Sequence, residues 1–156
     1  MRCLGIDHGT VRIGLALSDP LGILAAPFEI ISAQPEGAAL DRITSLVAKY
    51  GIVVLVLGLP LHSDGTSGTA ANRVEAFADK LRNRLSQCDV HFVDERLSSR
   101  DARERKGMKS KQGGGQNKQK GKSIEVAIDA MAAAVILQDY LDQRQGVALL
   151  PEEPWD

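Results

Sequence analysis

Three acids in this 156-residue chain sit where an acid is out of place. Asp7 ends the apolar run "LGID" (4–7), Glu95 closes "VHFVDE" (90–95), and Asp129 interrupts "VAIDAMAAAVIL" (126–137), which otherwise reads as a buried helix. An ionised carboxylate in apolar surroundings is costly unless it pairs, binds a metal or becomes neutral. Asp7 alone could be a turn acid before "HGT", and Asp94 or Glu95 could cap a following helix. Asp129 has no such outlet. On a helical wheel its neighbours are Glu125, Val126, Ala132, Ala133 and Ile136, a largely apolar, small-residue surface. A helix with that surface can approach a sheet closely, and laid across the sheet's end it would bring Asp129 to Asp7 and Glu95. Three carboxylates together repel and force protonation unless a cation joins them. Hard oxygen donors of this kind suit Mg²⁺ or Mn²⁺, which keep several waters and a substrate phosphate. The chemistry that follows is metal-assisted phosphodiester hydrolysis, with two ions about 4 Å apart activating water and stabilising the leaving oxygen.

The elements that must position these acids follow from hydrophobic periodicity. "RCLGID" (2–7) and "RIGLALSD" (12–19) read as a hairpin, and "FEIIS" (28–32) as a third strand. Apolar residues at Leu40, Ile43, Leu46, Val47 and Tyr50 predict a helix over 36–50, ended by Gly51. "IVVLVLG" (52–58) is continuously apolar, as in a strand covered on both faces. A helix over 69–85 follows, with Val74, Phe77, Ala78 and Leu81 as its stripe, then the strand 90–95. A short helix over 98–106 and a last helix over 123–142, capped by Ser123, complete the order. Three hairpin-type strands followed by alternating helices and strands imply an α/β fold, a mixed sheet with helices on its faces. The length suits one domain, taken as 1–145, with a basic flexible loop at 105–122 and an irregular tail at 146–156.

The net charge of −1 conceals an asymmetry. Between Arg96 and Lys122 lie ten basic residues and two acids, a segment of +8 on a remainder of −9. A basic segment on an acidic body suggests a polyanionic partner. Aromatic residues are 4% of the chain and none lies within the basic run, so stacking on bases is not expected. Cys3 and Cys88 lack metal-site spacing and read as reduced, buried thiols. "MRCLGIDHG" has no signal-peptide h-region, and no apolar run is long enough to span a membrane; the expectation is a cytoplasmic protein without a membrane partner. His8, next to Asp7, reads as a turn residue with a local hydrogen bond rather than a general base.

With acids on strand, strand and helix, the chain resembles the YqgF/RuvX family, the Holliday-junction-resolvase-like group regarded as nucleases that mature the 5′ end of precursor 16S rRNA. The matching stretches are "LGIDHGTVRIGLALSD" (4–19), "VLGLPLHSDGTSGTAANRVEAFADKL" (56–81), "VDERLSS" (93–99) and "DAMAAAVILQDYL" (129–141). The resemblance implies an RNase H-like fold with a five-stranded mixed sheet flanked by helices. It also implies that Asp7, Glu95 and Asp129 are the catalytic residues and hold Mg²⁺ or Mn²⁺, with Asp94 ranked below Glu95. Arg12 and Arg96 are candidates for contacting phosphate, although Arg12 could equally serve a structural salt bridge. Gly65 and Gly68 of "DGTSGT" (64–69) precede a helix and could offer backbone N–H groups to a phosphate. Lys118, Lys120 and Lys122 would grip the backbone beside the cleavage point without reading sequence. "GMKSKQGGGQNKQKGK" (107–122) is richer in Gly and Gln than the shorter basic versions of this loop.

The favoured partner is therefore structured RNA, precursor 16S rRNA above all, acted on by a monomer or weak dimer. Branched DNA is the alternative substrate, since a junction resolvase would use the same carboxylates; it would normally be a symmetric dimer, and no dimer stripe is visible. A third reading is a nucleic-acid-binding ribosome-assembly factor without turnover. "GIDHGT" also resembles the phosphate-binding hairpin of sugar kinases and actin-like ATPases, but those need a second lobe.

Overall fold

A computed structural model describes residues 1–61, 68–95 and 118–149. Its elements are β1 (Arg2–His8), β2 (Arg12–Ser18), β3 (Ala25–Ser32), α1 (Glu36–Tyr50), β4 (Ile52–Leu59), α2 (Thr69–Arg84), β5 (Asp89–Asp94) and α3 (Lys118–Leu149). The strands form one five-stranded sheet in the order β3-β2-β1-β4-β5. β1 pairs antiparallel with β2, and β2 with β3, while β1, β4 and β5 run parallel. The expected mixed α/β sheet is what the chain builds.

Alternation along the strands divides the interior into two layers. On one face Leu4, Ile6, Ile13, Leu15, Leu55 and Leu57 meet α1 and α2 through residues such as Ile43, Leu46, Phe77 and Leu81. On the other face Cys3, Ala16, Val54, Val56 and Val93 meet Ala133, Ile136, Leu137 and Leu141 of α3. β4 belongs to both layers, which explains its continuous apolar run. Gly51 ends α1 in the left-handed region at φ 63°. Cys3 and Cys88 are free and buried, and burial raises both thiols above their ordinary pKa.

Several boundaries depart from expectation for physical reasons. β3 begins at Ala25 rather than at Phe28 because Pro27 is tolerated on an edge strand, opposite Ala16 beside a register irregularity. α3 begins at Lys118, so Ser123 lies inside the helix and is not its cap, and residues 118–122 are helical rather than part of a loop. The same helix runs on to Leu149, into the stretch read as an irregular tail. Lys and Gln are good helix formers, so a polar composition alone did not mark a loop. The expected short helix over 98–106 lies outside the described residues.

The run 126–137 is also less uniformly buried than its composition suggests. Ala130, Ala133, Ile136 and Leu137 are buried, but Met131 is 49% exposed. Far along α3, Gln138 clamps the β2–β3 connection. Its side-chain carbonyl accepts the Ala25 N–H at 2.9 Å, and its amide donates to the Ile23 carbonyl at 3.0 Å. Leu137→Ala removes a fully buried side chain from the α3 layer and is expected to cost about 2–5 kcal/mol. Urea unfolding would show this as a lower midpoint at unchanged slope.

Candidate active site

Three neighbouring strands offer one row of positions at the sheet end where β1, β4 and β5 terminate. Asp7 on β1 lies opposite Gly14 on β2. On its other side, one step beyond the Ile6–Leu57 pair, lies Gly58 of β4. Cys3 and Gly5 share the α3 face with Asp7 by alternation, and Gly58 shares it with Val54 and Val56.

The two flanking glycines are occupied from above. A Cβ on Gly14 would stand 2.7 Å from the Asp129 carbonyl carbon and 3.3 Å from the Ala130 nitrogen. A Cβ on Gly58 would stand 2.8 Å from Glu95 Cγ and 2.5 Å from Ile136 Cδ1. Asp129 therefore rests on β2 and Glu95 on β4, one on each side of Asp7. Glu95 is 7% exposed, whereas Asp7 and Asp129 are half-buried. Arg12 begins β2 on the same face as Gly14, and its Nε lies 3.4 Å from Asp129 Oδ2. Of the two readings of Arg12, this is the salt bridge.

The structure brings the three acids to one end and one face of the sheet. Among the described residues, no three His, Cys, Asp or Glu side chains already converge as a metal-ligand group. The donor chemistry is that of a hard-cation site: three carboxylates, with Gly58 leaving room for the Glu95 side chain and Arg12 balancing Asp129.

Other candidates fall differently. Asp94 shares the face of Phe92, which packs on the α1/α2 layer, so alternation turns it away from Asp7. His8 is not a turn residue with a local hydrogen bond. It ends β1 on the α1/α2 face, its ring centroid 4.4 Å from that of Phe77, and its buried Nδ1 has no hydrogen-bond partner among the described residues. Burial first, and the Arg73 charge second, lower its pKa. Gly68 precedes α2 at the same sheet end as Asp7, in extended backbone, on the layer covering the opposite face. Gly65 and Arg96 lie outside the described residues. Lys118, Lys120 and Lys122 stand on the first turns of α3, so a loop is not what carries them. At 1.5 Å per residue, Lys118 lies on the order of 16 Å along the helix from Asp129.

Sequence reasoning missed the glycines. A Gly inside each of the apolar runs "RIGLALS" and "IVVLVLGL" was the available signal, because glycine in a strand marks close backbone approach.

A mixed five-stranded sheet with helices on both faces and acids gathered at one end defines an RNase H-like domain of the resolvase type. RuvC of Thermus thermophilus, solved in complex with a Holliday junction substrate, shares the fold with a TM-score of 0.57 over 94% of this chain and 96% of that chain, at 14% identity. A family model described as "RuvX: Holliday junction resolvase" matches residues 1–143, and the chain belongs to that family. It is 42% identical over 147 residues to a protein of Opitutus terrae, covering 92% of this chain and 93% of that one. To a protein of Roseiflexus sp. it is 41% identical over 144 residues, covering 92% and 96%. Both relatives carry the name "Putative pre-16S rRNA nuclease".

Two outcomes follow from this geometry. Gly14→Ala forces its methyl group against the α3 backbone and is expected to cost about 1–3 kcal/mol in urea unfolding; an unchanged midpoint would mean that α3 is not seated on β2. The depressed His8 pKa favours the folded state above the ordinary value near 6.5 and withdraws that stability as pH falls through the lower folded value. Wild-type stability should therefore decline below about pH 6.5, and His8→Gln should flatten the decline.

Proposed function

We propose that this chain is a divalent-metal-dependent nuclease that hydrolyses phosphodiester bonds of precursor 16S rRNA during ribosome biogenesis. The observation that carries the reading is the row itself, with Asp7 between two glycines over which Asp129 and Glu95 lie. Asp7, Glu95 and Asp129 would hold Mg²⁺ or Mn²⁺, whose positive charge would activate water and stabilise the leaving oxygen. The chain's own work is to bring three carboxylates to one end and one face of the sheet, against their repulsion. Arg12 stands at the rim, placed to orient a phosphate.

Arg96, Gly65, Gly68, Lys118, Lys120 and Lys122 complete the reading as contacts to the nucleic-acid backbone. Such contacts give salt-dependent affinity with little sequence preference, which suits a substrate known by its structure. The protein acts in the cytoplasm as a monomer or weak dimer; among the described residues no helix is long and apolar enough to cross a membrane. A four-way DNA junction is the second reading, favoured by the description of the matching family model.

Purified protein should cleave precursor 16S rRNA with Mn²⁺ or Mg²⁺, more readily than a four-way DNA junction under the same conditions. Asp7→Asn should reduce cleavage to background while its circular dichroism stays that of the wild type. Equal cutting by the wild type and Asp7→Asn would sink the reading, and preference for the junction would replace the substrate.

A further inference from the structure

Arg12 is held at the site by its backbone as well as by its charge. Its carbonyl accepts the Gly9 N–H at 2.9 Å, closing the β1–β2 turn, and its Cα pairs with Ser32 of β3. Two residue pairs further along β2, on the same face, lies Gly14, on which Asp129 rests. The side chain therefore spans the rim of the acidic row, and its Nε stands 3.4 Å from Asp129 Oδ2. Side-chain exposures of 38% for Arg12 and 28% for Asp129 leave the pair accessible to competing ions.

We propose that Arg12 competes with the metal for Asp129. In the metal-free protein the guanidinium neutralises the helix carboxylate and lowers the repulsion among the three acids. A divalent cation must take Asp129 from it. Once the acids are balanced by the cation, a nearby guanidinium gains nothing from Asp129 and is released toward the next anion to arrive, a phosphate of the nucleic acid. One residue thus serves the empty site as a counter-ion and the loaded site as a substrate contact. The inference rests on the carboxylate reading above and adds to it the order of events: metal first, then the arginine to phosphate.

Removal of the competitor should tighten metal binding, and a lysine that keeps the charge at the same place should not. Exposed ion pairs are worth up to about 1 kcal/mol, so the effect is expected near three- to fivefold. The experiment titrates Mn²⁺ into the full chain without nucleic acid, following free Mn²⁺ by electron paramagnetic resonance. Arg12→Gln should bind Mn²⁺ about three- to fivefold tighter than wild type, and Arg12→Lys should stay near it. Arg42→Gln, whose guanidinium is engaged by Glu29 on the distant α1 side, should leave the affinity unchanged. At saturating Mn²⁺, Arg12→Gln should raise KM for RNA despite its better metal binding. Unchanged or weaker Mn²⁺ binding by Arg12→Gln, with binding abolished in Asp7→Asn, overturns the competition and leaves the carboxylate site standing. Wild-type affinity in Asp7→Asn overturns both.

Discussion

The site depends on how closely one helix can lie on the sheet. α3 meets it backbone to backbone: the Ala133 carbonyl lies over Gly5, and the Asp129 carbonyl over Gly14. A single methyl group on either strand would occupy the same space as helix backbone or Cβ atoms. On the opposite face the layers are separated by Phe77, leucines and isoleucines, an ordinary thick core. In the proposed reading the asymmetry serves Asp129. Aspartate is short, and a helix standing off by one layer of side chains would carry Asp129 away from Asp7.

The position of Asp129 along the helix is fixed as firmly as its height. Gln138 hydrogen-bonds the β2–β3 connection at one end, and the Gly14 contact seats Asp129 near the other. The nine helical steps between them form a rigid rod of roughly 14 Å. Between these points Ala133, Ile136 and Leu137 fill the groove. Most of the helix's stabilising contacts thus also set the register of one carboxylate, so packing and chemistry are not separable here. Glu95 is held by a different device, since it follows the last strand directly and is buried over Gly58.

Much of this was legible in the sequence, and what was not has identifiable causes. The three acids stood out because charge in apolar runs is costly, a local signal that needs no fold. The strands and α1 were readable from periodicity within a residue or two, apart from the start of β3. Longer-range facts were not readable. Gln138 bonds residues more than a hundred positions away, and its type does not announce a partner. His8 was misread as a turn residue because "HGT" is a turn signal, whereas β1 runs one residue past Asp7 and turns His8 to the other face. The start of α3 was misplaced because Gly121 and the lysines looked like a loop, although a glycine costs a helix only about 1 kcal/mol.

Charge and topology together explain how an acidic cluster can serve a polyanion. The chain outside 96–122 carries −9, so phosphate approaching the body meets repulsion. The +8 segment begins at the residue after Glu95, and the helix that carries its last three lysines delivers Asp129. Both of its ends are thereby tied to elements bearing site carboxylates. The connection between two of the three acids is the part of the chain most suited to phosphate. In the proposed reading, the basic run serves the carboxylates because it is the stretch of chain that connects Glu95 to Asp129.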